Sequence, residues 1–306
     1  MSVPGKMLFC LSICLFACPA WGWEARPADL EESFLLWASP RSEYSSRQQE
    51  AYQLLTTDSA ASAFVVPRFM GTPSGSIRDK ILTFCENIGP TAVGPAFRPH
   101  AGADSPQLGL VLFCLSRSHD TESLPIILEQ LKNRRWQIRS TAALSLGYLG
   151  DKSAAEELVH ALETETYPMA RKSIAFALGQ CADSSTVTLT ILDALIGALG
   201  DDFFATRFNA ARSLAGFGEP ACLRLAARYD SLSDTARYGA LLALGRAPTP
   251  TSRQLLEKIS AEPSAALPLR GIALKGLLDQ KWTPADTDLT DLRNTNVGRG
   301  LFGLLR

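Results

Sequence analysis

Six arginines recur along the chain at a nearly constant spacing, and their chemistry is the first to consider. They are Arg78, Arg139, Arg171, Arg207, Arg237 and Arg270. A row of guanidinium groups could bind anionic ligands along one surface. Alternatively, each arginine begins a helix and bonds the carbonyl groups of its turn and the acids of the adjacent repeat. Because the arginines are shared by the copies of one pattern, we favour the structural role.

A second set of residues lies in the turns ahead of three of these arginines. It comprises Arg134, Arg135, Trp136, Tyr167, Phe203 and Phe204. Successive turns of a stacked repeat align along one edge, and Trp, Tyr and Arg dominate the hot spots of protein interfaces. The set therefore offers a protein-binding stripe, with Arg134 and Arg135 beside Trp136. The alternative is that the rings pack over their own turns.

Evidence for catalysis or metal binding is absent from the sequence. The three histidines, His100, His119 and His160, are isolated, whereas metal sites need converging ligands. No nucleophile elbow, phosphate-binding loop or dinucleotide fingerprint occurs. We predict no catalytic residue, no metal and no cofactor. Lys132–Arg139 is the one dense basic stretch, and the net charge is −1, so we predict no nucleic-acid partner.

The cysteines are expected to be buried free thiols. Four lie beyond the N-terminal apolar segment: Cys85, Cys114, Cys181 and Cys222. Most fall on the second helices of separate repeats, and neighbouring helices lie roughly 8–10 Å apart. A disulfide needs Cα atoms within about 7 Å.

The elements that position all these residues follow from one repeated pattern. Ile138–Gly150 reads IRSTAALSLGYLG, with Ala142-Ala143 three residues after Arg139 and Leu146 three residues further on. A degenerate copy without the arginine fits at Leu108. The spacings between anchors are 30, 31, 32, 36, 30 and 33 residues. A period of this length is typical of a solenoid.

Each repeat is predicted to be a hairpin of two helices. The first helix carries leucines at helical spacing, and the second begins near the arginine. The alanine pair lets neighbouring second helices approach closely. Glycines follow the leucine in three copies, at Gly147, Gly179 and Gly245, where they could cap the helix in a left-handed conformation.

These residues resemble the HEAT-like repeats of bacterial proteins, the type also seen in phycobilisome lyases, over about residues 50–280. The resemblance implies an all-α, right-handed α-solenoid of about seven helical hairpins, with second helices on the concave side. It implies a binding scaffold. Family members often place an acid about six residues before the arginine, forming a ladder between repeats. Here Glu165 and Asp201 stand before Arg171 and Arg207, so the ladder is partial.

The N-terminus has the order of an export signal. Lys6 precedes the apolar stretch Met7–Cys18, and Ala20-Trp21-Gly22 supplies small residues for cleavage. Leu15–Cys18 also resembles a lipobox, in which Cys18 would be lipidated, although Phe16 is bulkier than usual. We predict export to the periplasm or envelope after cleavage at Gly22. The alternative is a lipoprotein anchored through Cys18.

The predicted organisation has four parts: a signal peptide (1–22), an N-terminal cap or linker (23–50), the repeat solenoid (51–280) and a C-terminal cap or tail (281–306). We predict a monomeric, non-enzymatic scaffold that binds a protein or peptide, touching a membrane only through a lipid anchor. The alternative is a lyase-like enzyme or enzyme accessory acting on a bound protein or chromophore. That alternative requires a pocket with converging polar groups.

Overall fold

The computed structural model describes residues 27–38, 46–57, 61–70, 75–102 and 104–282. This described part is helical and contains no β-strand, so the predicted all-α class is confirmed. None of its helices combines the length and hydropathy needed to cross a bilayer. The predicted signal peptide with Cys18, and the C-terminal tail from residue 283, lie outside the described residues. The predicted boundary between cap and solenoid at residue 50 stays a prediction.

The chain divides into two compact units, Met1–Phe84 and Cys85–Arg306. The helices of the first unit are α1 (Pro27–Ala38), α2 (Ser46–Thr57), α3 (Ala61–Met70) and α4 (Gly75–Ile88), which ends in the second unit. Trp37 is buried against Phe34 and Phe84, with ring centroids 6.1 and 5.4 Å away. Arg78 falls within α4, and its side chain lies outside the described part.

The second unit is a stack of six helical hairpins within the described residues. Its first helices are α5 (Pro90–Phe97), α7 (Leu124–Glu129), α9 (Ala155–Thr164), α11 (Leu189–Ala198), α13 (Glu219–Arg228) and α15 (Pro250–Ala261). Its second helices are α6 (Leu108–Arg117), α8 (Trp136–Leu149), α10 (Pro168–Leu178), α12 (Phe204–Gly216), α14 (Asp234–Arg246) and α16 (Leu267–Asp279). The predicted α-solenoid fold class is confirmed by this stack, and α3 and α4 precede it in the sequence at the repeat anchored by Arg78.

From α6 to α16, each second helix packs on the next. The alanines make this approach short: Ala142, Ala143, Ala210 and Ala211 are fully buried. The periodic leucines fill the space beside them, as Leu146 does with no exposed surface. Burying one such side chain contributes roughly 1.5–3 kcal/mol, so the repeat pattern accounts for the core.

The repeat glycines have a different purpose from the predicted one. Gly147 and Gly245 lie inside α8 and α14, and Gly179 follows α10 with a φ of −73°. The left-handed cap of α8 is instead Gly150, with a φ of 66°. A Cβ on Gly245 would lie 2.9 Å from the Cα of Gly276 in α16. The repeat glycines therefore permit close contact between neighbouring second helices.

Candidate functional site

The arginines form a ladder of ion pairs between repeats. Arg139 donates from Nε and Nη2 to the Glu165 carboxylate, at 2.6 and 2.8 Å. Its Nη1 donates to the carbonyl of Asn133 in its own turn, at 2.9 Å. Glu165 also accepts the backbone N–H of Tyr167, at 2.8 Å. One carboxylate thus joins the second helix of one repeat to the turn of the next.

We call each arginine–carboxylate pair of this ladder a rung. The next rung, formed by Arg171 and Asp201, has the same contacts. Arg171 donates from Nε and Nη2 to Asp201, at 2.5 and 3.1 Å, and from Nη1 to the Thr166 carbonyl, at 2.6 Å. Asp201 accepts the backbone N–H of Phe203, at 2.7 Å. The Glu165 and Asp201 side chains are 4% and 9% exposed, so both rungs are largely shielded from water.

The electrostatic surroundings of the first rung keep both Glu165 and Arg139 ionised. Burial opposes ionisation of Glu165, but the hydrogen bonds from Arg139 and from the backbone of Tyr167 and Thr166 outweigh it. The pKa of the Glu165 carboxyl is therefore held below its usual value. The hydrogen bond with Glu165 also raises the pKa of Arg139.

The later arginines bind carbonyls of the chain, and Arg237 also pairs with Asp234 of its own helix, at 3.4 Å. Arg207 donates from Nη1 to the carbonyls of Asp201 and Asp202, at 2.7 and 3.0 Å. Arg237 donates to the carbonyls of Tyr229 and Asp230, at 3.3 and 2.8 Å. In the last repeat, Arg270 is buried, and its Nε donates to the Ser260 carbonyl at 3.2 Å.

Arg98 belongs to an arginine–acid pair that the sequence interpretation did not include. Arg98, just after α5, donates from Nε and Nη2 to Asp120, at 2.8 and 2.9 Å. The hydrogen bond to Asp120 raises the pKa of Arg98. Its position in the repeat differs from that of the six anchors, so the anchor pattern gave no signal for it.

The aromatic residues of the predicted stripe fall into two groups. Trp136 and Tyr167, from adjacent repeats, stack with ring centroids 4.2 Å apart and planes 12° apart. Phe204 is 60% exposed, and its ring lies 6.1 Å from that of Phe208. Phe203 is half-buried and precedes α12. The structure thus joins the turns of two repeats through the Trp136–Tyr167 stack.

The two arginines of the stripe differ in their surroundings. The Arg134 side chain is 88% exposed, and its guanidinium lies 3.9 Å from Asp104. The backbone N–H of Arg135 donates to the Asn133 side chain, at 3.0 Å. Arg134 therefore projects into solvent beside the Trp136 turn, where it can meet a partner at little desolvation cost.

Sequence reasoning missed the apolar surface that continues from the turns onto the second helices. We call it the second-helix face and define it by Met169, Phe208 and Tyr238, which are 37%, 37% and 42% exposed. The guanidinium of Arg246 lies 5.2 Å from the Phe208 ring centroid. The sequence could have indicated this surface, because an aromatic residue directly follows the arginine in two consecutive repeats, as Phe208 and Tyr238.

A shallow cleft of about 310 Å³ lies at the other end of the second helices. Its lining is Glu86, Ser116, Arg117, His119 and Tyr148. Arg117 forms an ion pair with Glu86, and its guanidinium lies 5.1 Å from the Tyr148 ring centroid. In the described part of the chain, no group of His, Cys, Asp and Glu side chains is arranged to hold a metal ion.

The four cysteines outside the N-terminal segment are free and buried, as predicted. Cys85 is the neighbour of the Cys114 thiol. Burial, first, and this neighbour raise the pKa of Cys114 well above its usual value. Burial also raises the pKa of Cys181 to about 12.

The stacked hairpins and the inter-repeat ladder define a helical-repeat protein. A family model for HEAT repeats matches residues 108–179, from the start of α6 to just beyond α10. That span includes the copy at Leu108, where the anchoring arginine is lost. Residues 108–179 are therefore similar to HEAT repeats.

The solved structures that are similar to this chain include the following two, and no curated protein matches it. The complex of CpcE and CpcF of phycocyanin lyase from Nostoc sp. PCC7120 is 19% identical, covering 93% of this chain and 98% of that chain, with a TM-score of 0.35. Human deoxyhypusine hydroxylase in complex with glycerol is 16% identical, covering 91% and 94%, with a TM-score of 0.28. The similarity to HEAT repeats rests on the match over residues 108–179.

Proposed function

We propose that this protein is a non-enzymatic scaffold that binds a protein or peptide through its aromatic turns and second-helix face. The exposure of large apolar side chains on consecutive repeats carries the proposal. Tyr167, Phe204, Phe208 and Tyr238 are 42%, 60%, 37% and 42% exposed. Single exposed apolar residues are ordinary on protein surfaces, whereas clusters of them mark interaction sites.

Rigidity supports the same proposal. The Arg139–Glu165 and Arg171–Asp201 rungs tie each second helix to the following turn. A surface that is already ordered loses little conformational entropy on binding, so more of the contact energy becomes affinity. The stacked Trp136 and Tyr167 rings are held on this frame, as anchor residues of interfaces commonly are.

The proposed location is the bacterial envelope. The order of Lys6, the apolar segment Met7–Cys18 and the small residues before Trp23 supports export. N-terminal sequencing of the mature protein should begin at Trp23. A mature chain that begins with a lipidated Cys18, and that Cys18→Ala releases from membranes, would establish the lipoprotein alternative instead.

The enzymatic alternative would use the cleft beside Tyr148, where polar groups converge. It ranks second because Arg117, the cationic group of the cleft, is already neutralised by Glu86. A lyase-like role would require this cleft to bind the substrate or chromophore. Substituting His119 with glutamine would then abolish the activity while leaving binding at the second-helix face unchanged.

Site-specific crosslinking in cells tests the scaffold proposal. A photoreactive p-benzoylphenylalanine is introduced in place of Phe204 and, as the matched control, in place of Leu223. Leu223 is also apolar and 55% exposed, but it lies on the first helix α13. We expect a discrete adduct from the Phe204 position alone, reduced by Tyr238→Ser. Equal adducts from both positions, or none from Phe204, contradict the proposal.

A further inference from the structure

We infer that Arg207 is a binding site for a carboxylate supplied by the partner, at a rung of the ladder that this chain leaves open. The inference rests on the proposed scaffold function and specifies the partner's chemistry. The two preceding arginines, Arg139 and Arg171, each hold a carboxylate on Nε and Nη2. Arg207 occupies the same position in the next repeat.

The Arg207 guanidinium is held like its two predecessors. In all three arginines, Nη1 donates to the carbonyls of the arginine's own turn. For Arg207 the acceptors are Asp201 and Asp202, at 2.7 and 3.0 Å. Among the described residues, no hydrogen bond or ion pair engages its Nε and Nη2. The pair of donors that binds a carboxylate in the two other repeats is therefore ordered and unused.

The rung is open because its acid is missing. Glu165 and Asp201 stand six residues before the arginine of their own repeat, and Ser231 stands six residues before Arg237. Ser231 has no carboxylate, and its hydroxyl donates to the Arg228 carbonyl at 2.7 Å. Ser233 is the N-cap residue of α14, just as Tyr167 and Phe203 are the N-cap residues of α10 and α12. Each of the three stands four residues before the arginine of its repeat. The turn before Arg237 therefore keeps the register of the earlier repeats but lacks their carboxylate.

The surroundings specify the ligand further. The Arg207 guanidinium lies 5.7 Å from the ring centroid of Phe204, and Phe204 neighbours Phe208 on the second-helix face. A second guanidinium, that of Arg246, lies over Phe208. An Asp or Glu side chain next to an aromatic or large apolar residue fits this arrangement. Bidentate arginine–carboxylate pairs give such a contact its orientation.

Arginine side-chain NMR tests the site directly. The Nε–Hε signal of Arg207, assigned by its loss in Arg207→Lys, is followed while acetyl-Asp-Phe-amide is added to the full mature chain. The control probe is acetyl-Asn-Phe-amide, which keeps the shape without the charge. We expect a saturable shift with the Asp probe and affinity weaker by about fivefold or more for the Asn probe. Equal responses to the two probes overturn the inference.

A second pair of variants leaves Arg207 untouched. Ser231→Glu supplies the missing acid from within the chain and should abolish the probe-induced shift. Ser231→Gln, of the same size without the charge, should retain it. If both variants bind the Asp probe as the natural chain does, the position is not an open rung and the inference fails. Circular dichroism of both variants establishes that they fold.

The same variants separate this inference from the proposed function. If the crosslink from the Phe204 position persists undiminished in Ser231→Glu, the scaffold function stands and the carboxylate site is refuted. If the Asp probe shifts Arg207 but no protein crosslinks at the Phe204 position, the carboxylate site stands and the scaffold function fails. Loss of the crosslink in Ser231→Glu alone, with Ser231→Gln unaffected, supports both.

Discussion

Replacing Gly245 with alanine should destabilise the second unit, although the same change at an open helical position stabilises. A Cβ at Gly245 would lie 2.9 Å from the Cα of Gly276, about 1 Å inside ordinary carbon–carbon contact. Because the neighbouring atom belongs to the backbone of α16, it cannot rotate away. The two helices must separate, which disturbs the buried leucines beside the contact.

The magnitude follows from two opposing terms. Overpacking costs about 1–3 kcal/mol, and a backbone neighbour places this site near about 3 kcal/mol. The higher helix propensity of alanine stabilises the folded state by about 1 kcal/mol. The net loss is about 2 kcal/mol, which lowers the melting temperature of a unit of this size by about 4–8 °C. Thermal unfolding followed by circular dichroism at 222 nm measures it.

Gly197 supplies the matched control. It lies in α11, is exposed, and an added Cβ would have no atom within 4 Å. Gly197→Ala should therefore raise the stability by up to about 1 kcal/mol. Equal and positive effects at Gly197 and Gly245 would refute the view that the repeat glycines are packing positions.

Three further predictions concern the ladder and the thiols. Glu165→Gln leaves Arg139 without its buried charge partner and should lower the free energy of unfolding in urea by about 3 kcal/mol; an unchanged value would show that the rung adds no stability. The depressed pKa of Glu165 means that its contribution is present above the usual carboxyl pKa of 4.5 and is lost as the pH falls through the lower folded value. Urea titrations at neutral and acidic pH should therefore show that the free energy of unfolding falls less on acidification in Glu165→Gln than in the natural chain. A thiol reagent should label Cys181 only in urea, because thiolates are the reactive form and burial raises the pKa of Cys181 to about 12; labelling of the folded chain would contradict this.

The helical-repeat fold could be predicted because the same pattern of buried residues recurs many times along the chain. Ala142-Ala143 and Leu146 recur at fixed distances from the arginine, and each repetition reduces the ambiguity of a single helical pattern. These residues are fully buried in the structure. The same redundancy revealed the degenerate copy at Leu108, which begins α6.

The site was less predictable because its contacts join different repeats. The stack of Trp136 on Tyr167 depends on the rotation between two hairpins, which no local pattern encodes. The role of Gly245 likewise depends on Gly276, which lies across an interface between helices. From sequence alone, a glycine near the end of a helix indicates a cap, and only the packed neighbour shows otherwise.

Two of the defects in the ladder differ in a way that bears on the proposed carboxylate site. At Leu108 the arginine is absent, and the following turn carries the neutral Asn133 where later repeats carry Glu165 and Asp201. Both halves of that rung are gone, so no charge is left without a partner. At Arg207 only the acid is gone. Arg207 is held through Nη1 by two carbonyls of its own turn, and the proposed partner carboxylate would occupy Nε and Nη2, as Glu165 and Asp201 do on Arg139 and Arg171.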